Sequence, residues 1–248
     1  MAFHLHRRVT LAAGALAFSL PGHGLHRLAG RNSPWVRRFL KLSGSAFGLD
    51  VKISGTPVAD HVLYAANHIS WLDILALGGA TGAAFVSKDD VAGWPVVGWL
   101  AREGGTIFVS RTDRRAVANQ ADALAAALAR GRPAALFPEG TTGDGRSLLP
   151  FRASLFAALD RVPREVVVQP VAIDYGGIAP LIAWLDEEGA GTNARRILSR
   201  PGRIGVTLRF LDPINPAIGR KAIAQSARLA IETALHDSGT LARTRQTG

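Results

Sequence analysis

The 248 residues predict an α/β fold: a single domain with a mostly parallel or mixed sheet covered by helices, preceded by an N-terminal membrane-associated helical segment. Three observations predict it. From Asp50 onward, short apolar runs alternate with helically spaced segments, the order that α/β domains produce. Most of those runs are continuous rather than alternating, as strands covered on both faces require. The length suffices for one such domain with a complete core and leaves little for a second.

Taken in order, the chain begins with His4, His6, Arg7 and Arg8 ahead of an apolar run over 9–20 that ends at Pro21-Gly22. That run is too short to span a bilayer. It has the charged start of a secretory signal, but the only small-x-small triplet directly after it, Gly22-His23-Gly24, makes a poor cleavage site. A second stretch, 34–49, sets Trp35, Val36, Phe39, Leu40 and Leu42 among Arg37, Arg38 and Lys41. The pattern fits an interfacial helix. It also fits a surface helix whose apolar stripe packs on the domain. Two such stretches on a basic chain predict a membrane-lying helical hairpin over 1–50.

Strands are expected at 62–66, 83–87, 106–110, 134–137, 166–173 and 203–210. Helical spacing covers 114–130, closed by Gly131 as a C-cap, and 153–162. Residues 186–200, rich in Gly, Glu and Arg, read as a surface excursion. An amphipathic helix is expected at 218–235, and 239–248 as a loose polar tail. The main domain then runs over 51–215, with 216–248 as a helix and tail.

Cysteine is absent, which excludes disulfides, a thiolate nucleophile and cysteine-ligated metals. The formal charge of +10 draws the protein to acidic surfaces, either nucleic acid or anionic lipid. Nucleic-acid binding would interleave Lys and Arg with exposed aromatics or carry a recognised binding motif. Neither pattern occurs, so no nucleic-acid partner is expected and membrane lipid is. There is no Gly-x-Ser-x-Gly elbow of the kind serine hydrolases use.

The chemistry-bearing residues follow the expected strand 62–66. Asn67-His68-Ile69-Ser70-Trp71-Leu72-Asp73 reads as a helix start with Ser70 as N-cap. A carboxylate in that first turn reaches back to a histidine just before it. One imidazole nitrogen then meets Asp73 and the other faces a substrate hydroxyl, a base and its orienter without an enzyme nucleophile. Taken alone, the pair fits a core histidine beside a capping aspartate at least as well. Further on, Gly105-Thr106-Ile107-Phe108-Val109-Ser110-Arg111 ends a strand in an arginine, and Phe137-Pro138-Glu139-Gly140-Thr141-Thr142-Gly143 runs a strand into a glycine turn. Ligands of open α/β sheets bind beyond the carboxyl ends of strands, so these segments are expected to share a crevice with His68. Lys88 also follows a strand and is a further candidate for the donor or acceptor site, or simply a solvated lysine.

Together with Val168-Gln169-Pro170-Val171, these segments stand in the order and spacing of four motif blocks. The chain resembles the glycerolipid acyltransferases, and within them the 1-acylglycerol-3-phosphate acyltransferases, over 51–210. The resemblance implies acyl transfer from an acyl-CoA or acyl-carrier-protein thioester to a lysolipid hydroxyl, with 1-acylglycerol-3-phosphate as acceptor and phosphatidic acid as product. It implies a cell-membrane enzyme, peripheral or monotopic on the cytoplasmic face, with no cofactor beyond the thioester and no metal. His68 matches the base and Asp73 its orienter. Asn67, Arg111, Glu139, Gly140 and Thr141 match residues that hold the acceptor or shape the site.

Thr142 departs from the pattern, because many lysophosphatidate acyltransferases have arginine there. Arg146 or Arg152 would have to replace it, or the acceptor is not a phosphomonoester. A lyso-ornithine lipid is the alternative acceptor. From a different class, a non-catalytic basic lipid-binding protein is the competing reading.

Overall fold

Continuous apolar runs become strands here because both faces of the sheet are covered. In the computed structural model, which describes residues 2–30, 33–94, 96–109, 114–185 and 187–241, the chain opens with α1 (Ala2–Leu28) and α2 (Trp35–Ala46). Next come β1 (Leu49–Ser54), β2 (Val62–Ala66), α3 (Leu72–Thr81), β3 (Ala84–Lys88), α4 (Val97–Glu103), β4 (Ile107–Val109), α5 (Arg114–Ala129) and β5 (Ala134–Leu136). After a 3-10 helix (Ala153–Arg161) follow β6 (Val167–Asp174), α6 (Ala179–Ile182), α7 (Ala190–Leu198), β7 (Ile204–Phe210) and α8 (Arg220–Asp237).

The seven strands form one sheet in the order β1-β7-β6-β2-β5-β3-β4. Strands β6, β2, β5, β3 and β4 are parallel; β7 runs antiparallel to β6 and carries β1 parallel to itself, so the sheet is mixed. Along β2, Val62, Tyr64 and Ala66 enter one core layer with Leu72 and Leu77 of α3 and Ile182 of α6. Leu63 and Ala65 enter the other, with Leu128 of α5, Phe156 and Ile223 of α8. Burying each large aliphatic side chain contributes roughly 1.5–3 kcal/mol, so both layers hold β2 at the sheet's centre.

Several expectations change. Helix α1 does not stop at Pro21-Gly22. Proline removes one backbone donor from the helix interior, but the neighbouring Gly22 lets the Trp35 ring of α2 lie where a Cβ would sit 2.1 Å from it. His23 then bonds Glu103 at 2.9 Å, fixing the following turn. Helix α2 is a packed helix on its α3 side: Gly78 and Gly79 admit Leu40 and the Lys41 backbone, and the Arg37 guanidinium donates to the carbonyls of Gly79 and Ala80. No described helix is long and apolar enough to cross a membrane. Leu11, Phe18 and Leu25 nevertheless recur at seven-residue spacing along an exposed stripe of α1, with Leu28 beside them.

The expected surface excursion over 186–200 contains α7, whose Asn193, Ile197 and Leu198 are buried. Its composition hid a short amphipathic helix. The segment expected as a helix over 153–162 is a 3-10 helix, and β1, a charged edge strand, was not anticipated.

Candidate active site

The five parallel strands send their carboxyl ends to one edge of the sheet, and the loops leaving β2, β5 and β6 meet there. His68 stands two residues beyond β2. Its Nδ1 lies 2.8 Å from Oδ2 of Asp73. That oxygen also accepts the backbone N–H groups of Ile69 at 2.7 Å and Ser70 at 2.9 Å, while Oδ1 accepts the Tyr175 hydroxyl at 2.7 Å. Asp73 is fully buried, and these donors offset the cost of keeping a carboxylate out of water.

Capping therefore differs from expectation. Trp71 occupies the N-cap position with no side-chain bond, and Asp73 reaches back to the preceding N–H groups while Ser70 Oγ lies a long 3.5 Å from the Leu72 N–H. One carboxylate thus closes the helix start and holds the histidine. With Nδ1–H directed at Asp73, Nε2 is the basic nitrogen. The His68 side chain is 17% exposed, and its ring stacks on Phe137 with centroids 3.9 Å apart and planes 9° from parallel. Stacking removes the rotation that would swing Nε2 away.

The glycine turn after β5 grips the His68 backbone from both sides. Its N–H donates to Glu139 Oε1 at 2.7 Å and its carbonyl accepts the Gly143 N–H at 2.7 Å. Glu139 Oε2 accepts the Leu149 N–H at 2.9 Å. Burial pushes the Glu139 carboxyl up to about 7, against the two backbone donors that favour its charge; Asp73 adds to the rise and Arg228 opposes it. Gly140 turns the chain at φ 76°, a conformation that favours glycine.

Glu139 was expected among the acceptor-holding residues. It is buried with each oxygen accepting one backbone N–H, so it shapes the His68 loop, and it lines the recess beside His68. Asn67 is likewise buried, its amide exchanging two bonds with the Ile173 backbone across to β6 at 2.7 and 3.1 Å. It ties two strand ends together at the wall of the recess that His68 lines. Gly140 and Thr141 are part-exposed in the turn. Arg152 is exposed at the head of the 3-10 helix, its backbone N–H on the Pro138 carbonyl. Lys88 ends β3 on the same sheet edge, but its side chain, like the whole of Arg111, lies outside the described residues.

Tyr175 is the site residue that sequence reasoning missed. It follows β6 directly, and only the pairing of β6 with β2 brings it to Asp73. A tyrosine just past an apolar strand was the sole available signal. Trp184 also clasps the loop: its N–H donates to the Ile69 carbonyl at 2.9 Å and its own carbonyl accepts the Thr142 hydroxyl.

A buried carboxylate holding a partly exposed imidazole by one nitrogen is an arrangement able to take a proton from a hydroxyl brought to it. A family model described as Acyltransferase matches residues 50–174. The chain belongs to the acyltransferase family. This acyltransferase is 32% identical to the lyso-ornithine lipid O-acyltransferase of Rhodobacter capsulatus over 250 residues, covering 95% of this chain and 87% of that protein. It is 36% identical to the 1-acyl-sn-glycerol-3-phosphate acyltransferase of Neisseria gonorrhoeae over 155 residues, 60% of this chain and 56% of that one. Its fold matches the crystal structure of the 1-acyl-sn-glycerophosphate acyltransferase of Thermotoga maritima with a TM-score of 0.59 and 25% identity, covering 80% of this chain and 78% of that one. The enzyme is an acyltransferase of lysolipids.

Proposed function

We propose that the enzyme acylates the free hydroxyl of a lyso-ornithine lipid at the cytoplasmic face of the cell membrane, drawing the acyl group from an acyl-CoA or acyl-carrier-protein thioester. Nε2 of His68 takes the proton of the acceptor hydroxyl as its oxygen attacks the thioester carbonyl. The tetrahedral adduct collapses, the C–S bond breaks, and the imidazolium returns the proton to the departing thiolate. Asp73 holds the ring and offsets its transient charge. The reaction as drawn uses no metal and no cofactor beyond the thioester.

Thr142 carries the choice of acceptor. Its hydroxyl is engaged by the Trp184 carbonyl, at the position where the resemblance to lysophosphatidate acyltransferases calls for a guanidinium. An amino-acid head group needs no cation built for a phosphomonoester. Likeness along 95% of the chain to a lyso-ornithine lipid acyltransferase supports the same reading. The second reading is 1-acylglycerol-3-phosphate to phosphatidic acid, favoured by the fold match, with Lys88, Arg111 and Arg152 as the cations the sequence offers for a phosphate. The exposed Leu11, Phe18 and Leu25 stripe of α1 supports attachment to the bilayer surface.

An acceptor panel with radiolabelled thioester decides between them. Lyso-ornithine lipid should turn over at least about tenfold faster than lysophosphatidate or lysophosphatidylcholine. Preference for lysophosphatidate would install the second reading. His68→Ala should lower turnover by about 10²–10⁴, and turnover equal to wild type would remove His68 as the base.

A further inference from the structure

Helix α1 is anchored to the domain at two places and bridges a gap between them. Near its start, the buried Arg8 guanidinium donates to the carbonyls of Ile197, Leu198 and Gly202, at the carboxyl end of α7 and the turn beyond it. This is where a helix dipole welcomes a cation. Near its end, Gly22 receives Trp35. Between the anchors, Leu11, Gly14, Ala15 and Phe18 roof a groove of about 540 Å³ whose far wall includes Leu42 of α2 and Gly202. A Cβ added to Gly14 would meet nothing within 4 Å. The space left beneath the helix is of small-ligand size.

The groove is apolar along its length and cationic at one end, where Arg7 and Arg203 line it. Burial, and then the like charges of Arg7, Arg200 and Arg203, draw Arg8 below the usual arginine value. Among the described residues no carboxylate pairs with any of these four. Clustered guanidiniums without a counter-ion repel one another, and a phosphate between two of them accepts several charge-assisted hydrogen bonds. Leu11 and Phe18 belong to both the groove and the exposed apolar stripe of α1, so the groove opens onto the face suited to a bilayer.

We propose that this groove holds a single anionic phospholipid of the membrane, its phosphate on Arg7 and Arg203 and one acyl chain along Leu11, Ala15 and Phe18. The site is separate from the recess at His68, which is lined by none of the same residues. An acidic protein would satisfy the arginines but leave the apolar length of the groove empty. Binding here requires no turnover, so it stands or falls independently of the acceptor.

The test uses the full chain in neutral detergent with dioctanoyl phosphatidylglycerol, dioctanoyl phosphatidylcholine or glycerol phosphate, read by native mass spectrometry and by the shift in melting temperature that ligand binding produces. One phosphatidylglycerol should bind saturably, with the other two at least about tenfold weaker. Arg7→Ala with Arg203→Ala should cost about tenfold in affinity. Gly14→Trp, which fills the groove and replaces a poor helix former, should abolish the adduct while the protein remains folded. Equal binding of phosphatidylglycerol and phosphatidylcholine, glycerol phosphate binding as tightly as the lipid, or an unchanged adduct in Gly14→Trp would each overturn the proposal. So would retention of apo acyl carrier protein but of no lipid.

Discussion

The hydroxyl of Tyr175 donates to Oδ1 of Asp73 at 2.7 Å, on the opposite oxygen from the one that holds His68. A single carboxylate thereby links the ends of two neighbouring strands, and the orientation of the histidine depends on a residue 102 positions away in the chain. Burial, followed by the charge and the hydrogen bond of Asp73, raises the Tyr175 phenol well above its ordinary value, so it stays a donor.

Tyr175→Phe removes that donor and leaves Oδ1 buried without it. Stability should fall by about 1–3 kcal/mol, and kcat by about tenfold, while the KM for the acceptor holds. Asp73→Asn should cost far more, about 10²–10⁴ in kcat, because an amide fails to accept from all the same donors. Steady-state kinetics and urea melts of both variants read this out. A Tyr175→Phe enzyme with wild-type kcat would make the tyrosine purely a packing residue.

Asn67 lies beside His68, yet both ends of its amide are committed to Ile173. Asn67→Ala should therefore act through folding: two buried backbone groups lose their partner, at a cost of about 2–4 kcal/mol. Activity per folded molecule at saturating acceptor should change much less than the melting point. A raised acceptor KM in a protein of undiminished stability would return Asn67 to the substrate-binding set.

Glu139 couples the site to pH. Its carboxyl titrates near 7 in the folded protein, against an ordinary value of 4.5. Between those values the folded state keeps a proton that the unfolded chain has released, so Glu139 makes stability fall as pH rises from about 4.5 to 7, and level off above. The full contribution is roughly 3 kcal/mol. Urea unfolding at several pH values from 5 to 8 should show this slope in wild type and a flatter one in Glu139→Gln. Parallel pH profiles in the two proteins would assign the slope to other groups.

What was legible in the sequence was local. His68 and Asp73 share one strand-to-helix turn, so their spacing alone brings them within reach of each other. The runs that became β2 and β6 were continuous because both sheet faces bury them, and burial on both faces leaves its mark in composition. The α7 segment failed to read as a helix because its nine residues include Gly191, Thr192, Asn193 and two arginines, and its apolar face is visible only once Ile197 is seen in the core.

The sequence by itself determined the α/β class, the strand that His68 follows and the contact between His68 and Asp73. Tertiary structure alone decided which backbone groups Glu139 and Asn67 bind, that Tyr175 completes the shell of Asp73, and that α1 runs through Pro21 to roof a groove. The physical reason is shared by all of these. Which strands become neighbours, and which backbone donors a buried carboxylate must satisfy, depends on contacts between residues far apart in the chain. Glu139 meets the His68 N–H across 71 positions, and no local spacing encodes that encounter.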